Sequence, residues 1–126
     1  MKILERVQAI GRDLASARGV VTNRSVFSEP ISVTGNGRPI VLLHGFMGHP
    51  SSLELFALSA IERDHTVIAP QGNPTDTVNY QISGLYDLIE SLDSPVHIVG
   101  HSLGGVVAVL ASMERPELFA SIVTIA

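Results

Sequence analysis

The 126-residue sequence contains no cysteine, no tryptophan and a single lysine, and its aromatic residues are two tyrosines and four phenylalanines. Without cysteine the chain can form no disulfide and run no thiolate chemistry, although this leaves its compartment open. With Lys2 as the only lysine, a net charge of −4 and a pI near 5.6, it lacks the basic footprint that phosphate tracking needs. No nucleic-acid partner is therefore expected. No apolar run approaches the ~18 residues needed to span a bilayer. The N-terminus has no compact apolar stretch of the kind a secretory signal carries, so a cytoplasmic location is the expectation. The five histidines show neither an H-E-x-x-H pattern nor paired ligand spacing, and no metal or cofactor is expected. There is no internal repeat and no low-complexity tract.

What is present is a globular composition, 45% hydrophobic and 16% charged, in a length that fits one domain with a real core. Residues 1–19 stand apart. Ile3, Leu4, Val7, Ile10 and Leu14 recur at helical intervals, and the segment carries net +2 against −6 for residues 20–126. This reads as an N-terminal amphipathic helix that packs its apolar stripe on the domain. A basic helix of this kind can also make weak contact with a membrane surface.

Further along, "VVT" and "ISVT" read as short strands, and "TGNGRP" as a turn. "IVLL" (40–43), "HTVIAP" (65–70), "PVHIVG" (95–100) and "SIVTIA" (121–126) are apolar runs of the sort buried on both faces of a sheet. Helical spacing lies between them over 52–62, where Ser51 or Ser52 is the candidate cap, over 78–92 and over 103–114. From residue 40 the order is β-α-β-α-β-α-β. This predicts an α/β fold: a three-layer α/β/α sandwich with a mostly parallel sheet.

Gly100-His101-Ser102-Leu103-Gly104 matches G-x-S-x-G, for which chance gives roughly 0.04 matches in a chain this long. A buried strand precedes it and a helix follows, the context in which such a serine is a nucleophile on a tight strand-to-helix turn. Side chains at positions 100 and 104 would collide across that turn, and Gly105 adds room for the helix to approach the strand. The Leu103 N–H at the helix start then points to where an oxyanion would form. The alternative is a glycine-rich turn with an inert serine, or one that cradles phosphate. The sequence has neither G-x-x-x-x-G-K-[ST] nor G-x-G-x-x-G.

Acyl transfer needs a second backbone donor, supplied by the loop after a neighbouring parallel strand. His44-Gly45-Phe46-Met47-Gly48 follows strand 40–43 and would emerge at the same sheet edge. Gly45 permits close backbone approach. Phe46 is the first candidate donor by its N–H and Met47 the second, and their side chains would line an apolar acyl pocket.

"IVLLHGFMG" together with "IVGHSLGGVVAVL" resembles the α/β-hydrolase superfamily, in particular bacterial esterases and lipases, over about residues 31–126. The resemblance implies Ser102 as nucleophile and Phe46 and Leu103 as oxyanion donors. His44 matches a structural histidine of the oxyanion loop. Gly45, Met47 and His101 then lie at the substrate site with it. Many relatives have an Asp and a glycine-rich stretch after "VIAP", where this chain reads "QGNPTDT".

The family's chain order is Ser, then Asp or Glu, then His. Only 24 residues follow Ser102, and they hold Glu114 and Glu117 but no histidine. His97 reads as a mid-strand residue, His65 as a strand start and His101 as facing away on the turn. His49, at the site mouth, is the fallback base. "SIVTIA" would leave a fully apolar edge strand, which natural proteins avoid. The expectation is therefore a partial α/β-hydrolase domain over 20–126, with acid and base encoded beyond Ala126. The 126-residue chain alone would be inactive or very weak. The activity expected is that of a serine hydrolase on carboxylic esters or lipids, through an acyl-enzyme on Ser102. The alternatives are acyl transfer or perhydrolysis at the same site, or a non-catalytic interaction module.

Overall fold

The computed structural model describes residues 31–46, 48–73, 75–92 and 95–126. The proposed helix over 1–19 and the "VVT" strand lie outside these residues. Five strands form one sheet in the order β1-β3-β2-β4-β5, with β1 Ile31–Val33, β2 Gly37–Leu43, β3 His65–Ala69, β4 Val96–His101 and β5 Phe119–Ile125. β2, β3, β4 and β5 pair in parallel, and β1 runs antiparallel along β3. The helices are α1 Glu54–Glu62, α2 Val78–Glu90 and α3 Leu103–Glu114.

The apolar runs are continuous because each central strand buries both faces. On β2, Leu42 and Ile40 turn toward α1, and join Leu53, Ala57, Ile61 and Val67 in one core. Val41 turns the other way with Val96 and Ile98, against Ile82, Leu85 and Ile89 of α2 and Val107, Ala108 and Ala111 of α3. The two cores are the two interfaces of the expected three-layer α/β/α sandwich. Fully burying one Leu, Ile or Val contributes about 1.5–3 kcal/mol, so the central strands fix the register on which the site depends.

The helix ends differ in how they are made. α2 starts at Thr77, whose side-chain oxygen accepts the Tyr80 N–H at 3.2 Å. The expected serine cap on α1 is corrected. Pro50–Leu53 forms a 3₁₀ turn, α1 begins at Glu54, and its capping position is Leu53 with no side-chain bond. The Ser52 hydroxyl instead accepts the His49 N–H, because a proline opens the preceding turn and moves the helix start on by two residues. Between α2 and α3, the Tyr86 hydroxyl donates to the Ala111 carbonyl at 3.0 Å. Burial, followed by the Glu114 charge, raises the Tyr86 pKa. β5 is the outer strand on its side, with Ile122 and Val123 exposed. Among the described residues no helix is long and apolar enough to cross a membrane.

Candidate active site

β4 ends at His101 and α3 begins at Leu103, so one residue, Ser102, makes the whole strand-to-helix reversal. Its backbone takes φ 52° and ψ −118°, in the positive-φ region where a Cβ is strained. Asp64 is the other non-glycine residue with positive φ among those described. Three glycines make the reversal possible. A Cβ on Gly100 would lie 2.5 Å from the Gly104 oxygen, and one on Gly104 would lie 2.4 Å from the Leu43 oxygen. On Gly105 it would meet the Gly100 oxygen at 3.1 Å. The Ser102 N–H donates to the Ile125 carbonyl at 2.8 Å, and the Ser102 carbonyl accepts from Gly105 N–H at 2.9 Å and Val106 N–H at 3.3 Å. The backbone is thus held at both ends, while the side chain is exposed and carries no hydrogen bond among the described residues.

The loop after β2 lies directly beside this turn. A Cβ on Gly45 would fall 3.0 Å from Ser102 Cβ and 3.2 Å from the His101 oxygen, so glycine lets the two loops lie in close contact. The Gly48 N–H closes a tight turn on the Gly45 carbonyl at 2.9 Å, and Phe46 is exposed at its corner. Phe46 and Leu103 line one hollow of about 210 Å³. The backbone N–H of neither has an acceptor among the described residues. Two N–H groups without an acceptor on one hollow are free to donate to an anion there, and the α3 N-terminus adds a favourable dipole. Met47 lies outside the described residues.

His44 is tied into the scaffold. Its Nδ1 donates to the Gly45 carbonyl oxygen at 2.9 Å and its Nε2 accepts the Gly72 N–H at 2.8 Å. A carbonyl only accepts and a peptide N–H only donates, so both ring nitrogens are used and the tautomer is fixed by these partners. The ring clamps the loop after β2 to the segment after β3. His101 is half-buried, and its Nδ1, fully out of solvent, has no hydrogen-bond partner among the described residues. The ring packs under Gly45, whose Cβ position lies 3.4 Å from that nitrogen.

The other histidines lie elsewhere. At the far end of the strands, His65 Nδ1 donates to the Arg38 carbonyl at 2.9 Å. His97 Nδ1 meets the Ser121 hydroxyl at 2.6 Å, and the two rings stand edge to face at 6.2 Å. Burial, then the Arg38 and His65 charges, lowers the His97 pKa. His49 precedes the 3₁₀ turn. Of the late acids, Glu117 pairs with Arg115 at 3.1 Å. No histidine among the described residues hydrogen-bonds the Ser102 hydroxyl.

Two further openings lie near this end of the sheet, the first lined by Ser102 and the second not. One is a cleft of about 480 Å³ over the outer face of α3 and β5, where Val106, Val109, Leu110 and Ile125 meet Ser102. The other is a cavity of about 270 Å³ between β2, α2 and α3. Gly72, Gln81 and Gly84, which line the second, were not distinguishable in the sequence as site residues. The only signal was a glycine inside a helical pattern, which marks an unusual position without saying why.

Residues 40–126 match a family model described as the alpha/beta hydrolase family. A Pseudomonas savastanoi pv. phaseolicola protein named as a carbamate hydrolase, RutD, is 32% identical over 98 residues, covering 69% of this chain and 38% of the relative. Among solved structures, a metagenome-derived lipolytic enzyme (LipS or LipT) superposes with a TM-score of 0.69 at 26% identity, over 77% of this chain and 44% of the other. The alpha/beta hydrolase MGS-MChE2, from the metagenome of sediments of the lagoon of Mar Chica, Morocco, gives 0.67 at 27% identity, over 75% and 46%. The chain therefore spans less than half the length of these relatives.

Proposed function

Because the chain belongs to the alpha/beta hydrolase family, we propose that it carries the nucleophilic half of a serine hydrolase that cleaves carboxylic esters. The observation that carries this reading is the exposed Ser102 at φ 52° on a one-residue strand-to-helix turn, beside the unpaired N–H groups of Phe46 and Leu103. Strain of this kind persists only where the surroundings over-determine it, and it clusters at functional sites. In the reaction, Ser102 Oγ attacks the ester carbonyl carbon and gives its proton to a histidine base. The carbonyl oxygen takes up negative charge between the two N–H groups. The C–O bond to the alcohol breaks, and the alcohol leaves with the proton returned by the histidine. Water then attacks the acyl-enzyme by the same route. The base and its orienting acid are proposed to lie beyond Ala126. The His44 ring nitrogens are both engaged, and the relatives are more than twice as long as the matched region.

A second reading is carbamate hydrolysis, favoured by the 32%-identical relative that bears that name. The same serine would attack a carbamoyl carbonyl, a less electrophilic centre. The two are separated by assaying the full-length protein on matched p-nitrophenyl esters and N-alkyl carbamates. Turnover of the esters with only slow, stoichiometric carbamoylation supports the ester reading. Faster turnover of carbamates supports the second. Equal turnover by wild type and Ser102→Ala on either substrate overturns both.

A further inference from the structure

Among the described residues, eight glycines have a neighbour within 3.3 Å of where a Cβ would sit, but Gly84 has nothing within 4 Å. It stands in the interior of α2, where glycine is less favourable than any residue but proline. Neither a positive φ nor close packing calls for it. A locally unfavourable residue with no packing reason is the kind of departure that accompanies a functional constraint. Gly84 is exposed and borders the 270 Å³ cavity, whose walls include Leu43, Leu85, Leu88 and Val107.

That cavity adjoins the oxyanion hollow. His44, Gln71, Gly72 and Gln81 line both, so they form the neck between the Phe46 and Leu103 N–H groups and the apolar space beyond. We propose that the cavity between β2, α2 and α3 is the subsite for a short, uncharged, apolar acyl chain, and that Gly84 sets the length it accepts by leaving its wall open. This rests on the reading of Ser102 as nucleophile. The acyl half is assigned inward because it stays bound through both half-reactions and its carbonyl oxygen lies at the neck. The alcohol must depart, and it lies on the Ser102 side of the neck. The volume is just below the usual range for small-ligand pockets, which restricts it to a few carbons. Asp76 at the rim opposes a second carboxylate on the chain.

The test uses the full-length protein and p-nitrophenyl esters from acetate to decanoate. In the wild type kcat/KM rises by up to about fourfold per added methylene, reaches a maximum at a medium-short chain and then falls. Gly84→Leu fills the open wall, raises the melting temperature by relieving the helical glycine, and lowers the hexanoate-to-acetate ratio of kcat/KM at least tenfold. Gly84→Ala lowers it less. A folded Gly84→Leu protein whose ratio stays within twofold of wild type overturns the proposal, as does a tenfold ratio change from Val109→Trp in the other cleft. Binding of 1-hexanol to Ser102→Ala by titration calorimetry gives a readout free of catalysis. It weakens at least tenfold on adding Gly84→Leu, and unchanged affinity overturns the subsite. Should no ester be turned over, the nucleophile reading fails, while the hexanol titration still decides the cavity. Leu88→Trp narrows the same space if Gly84→Leu does not fold.

Discussion

Two strand-to-helix connections leave the same edge of the sheet, and they are built by opposite means. Between β4 and α3 the chain reverses within one residue. It is locked by glycines that carry no spare ångström and by Ser102 backbone bonds to β5 and to the first turn of α3. Between β3 and α2 it takes eight residues. These are shaped by side-chain bonds such as those of Asn73 Oδ1, which accepts from the Thr75 N–H at 3.1 Å and its hydroxyl at 2.8 Å. A turn fixed by steric exclusion places a reacting atom reproducibly. One fixed by replaceable polar contacts can change sequence without moving the nucleophile. On the proposed reading the first carries the chemistry and the second borders the acyl subsite, and His44 ties the second to the loop after β2, which touches the first.

The contrast can be broken at its strongest point first. In the full-length protein, Ser102→Ala lowers kcat/KM by about 10⁴-fold or more, the scale at which a nucleophile's removal leaves oxyanion binding alone. Ser102→Gly abolishes activity equally but relieves the positive φ, so its unfolding free energy rises by about 1–3 kcal/mol. A serine held there without functional need would give no such opposition between activity and stability. Gly104→Ala places a Cβ against the Leu43 carbonyl and lowers stability by about 2–4 kcal/mol in chemical denaturation, at the upper end of overpacking costs. The corresponding change in the other connection, Asn73→Ala, costs only about 0.5–1.5 kcal/mol.

His44→Ala cuts the tie between the loop after β2 and the β3–α2 connection. It removes both ring hydrogen bonds and misplaces the Phe46 donor, so kcat falls by about 10²-fold with a smaller change in KM. The smallest effect lies at the far end of the sheet. The folded His97 pKa is depressed below its unfolded value near 6.5. Its contribution to stability is therefore present above pH 6.5 and is lost as pH falls through the folded value. His97→Gln flattens that part of the stability profile and leaves the pH dependence of activity in place.

The locked connection was legible in the sequence because steric exclusion leaves an imprint on residue type. Gly100, Gly104 and Gly105 around Ser102, and Gly45 and Gly48 after β2, are glycines with little or no room for a Cβ, and their spacing reads directly as geometry. The central strands were legible because burial on both faces demands unbroken apolar runs. The short edge strand β1, and the start of α1, were less so. A three-residue strand has almost no pattern of its own, and Pro50 moved the α1 start beyond the serines that looked like caps. The cavity was not legible. Gly84 signals only in three dimensions, where it is exposed, has no neighbour within 4 Å of a Cβ and borders the cavity. The His44–Gly72 bond was likewise hidden, since a backbone N–H donor has no residue signature.

The central claim is that Ser102 is an activated nucleophile beside a preformed oxyanion site. The most direct measurement is peptide mapping by mass spectrometry after treating the full-length protein with a fluorophosphonate at sub-stoichiometric concentration. The account predicts a single phosphonyl adduct on Ser102, absent from Ser102→Ala and slowed by His44→Ala. An unmodified Ser102 in folded, full-length protein, or an adduct on another residue that persists in Ser102→Ala, would contradict it.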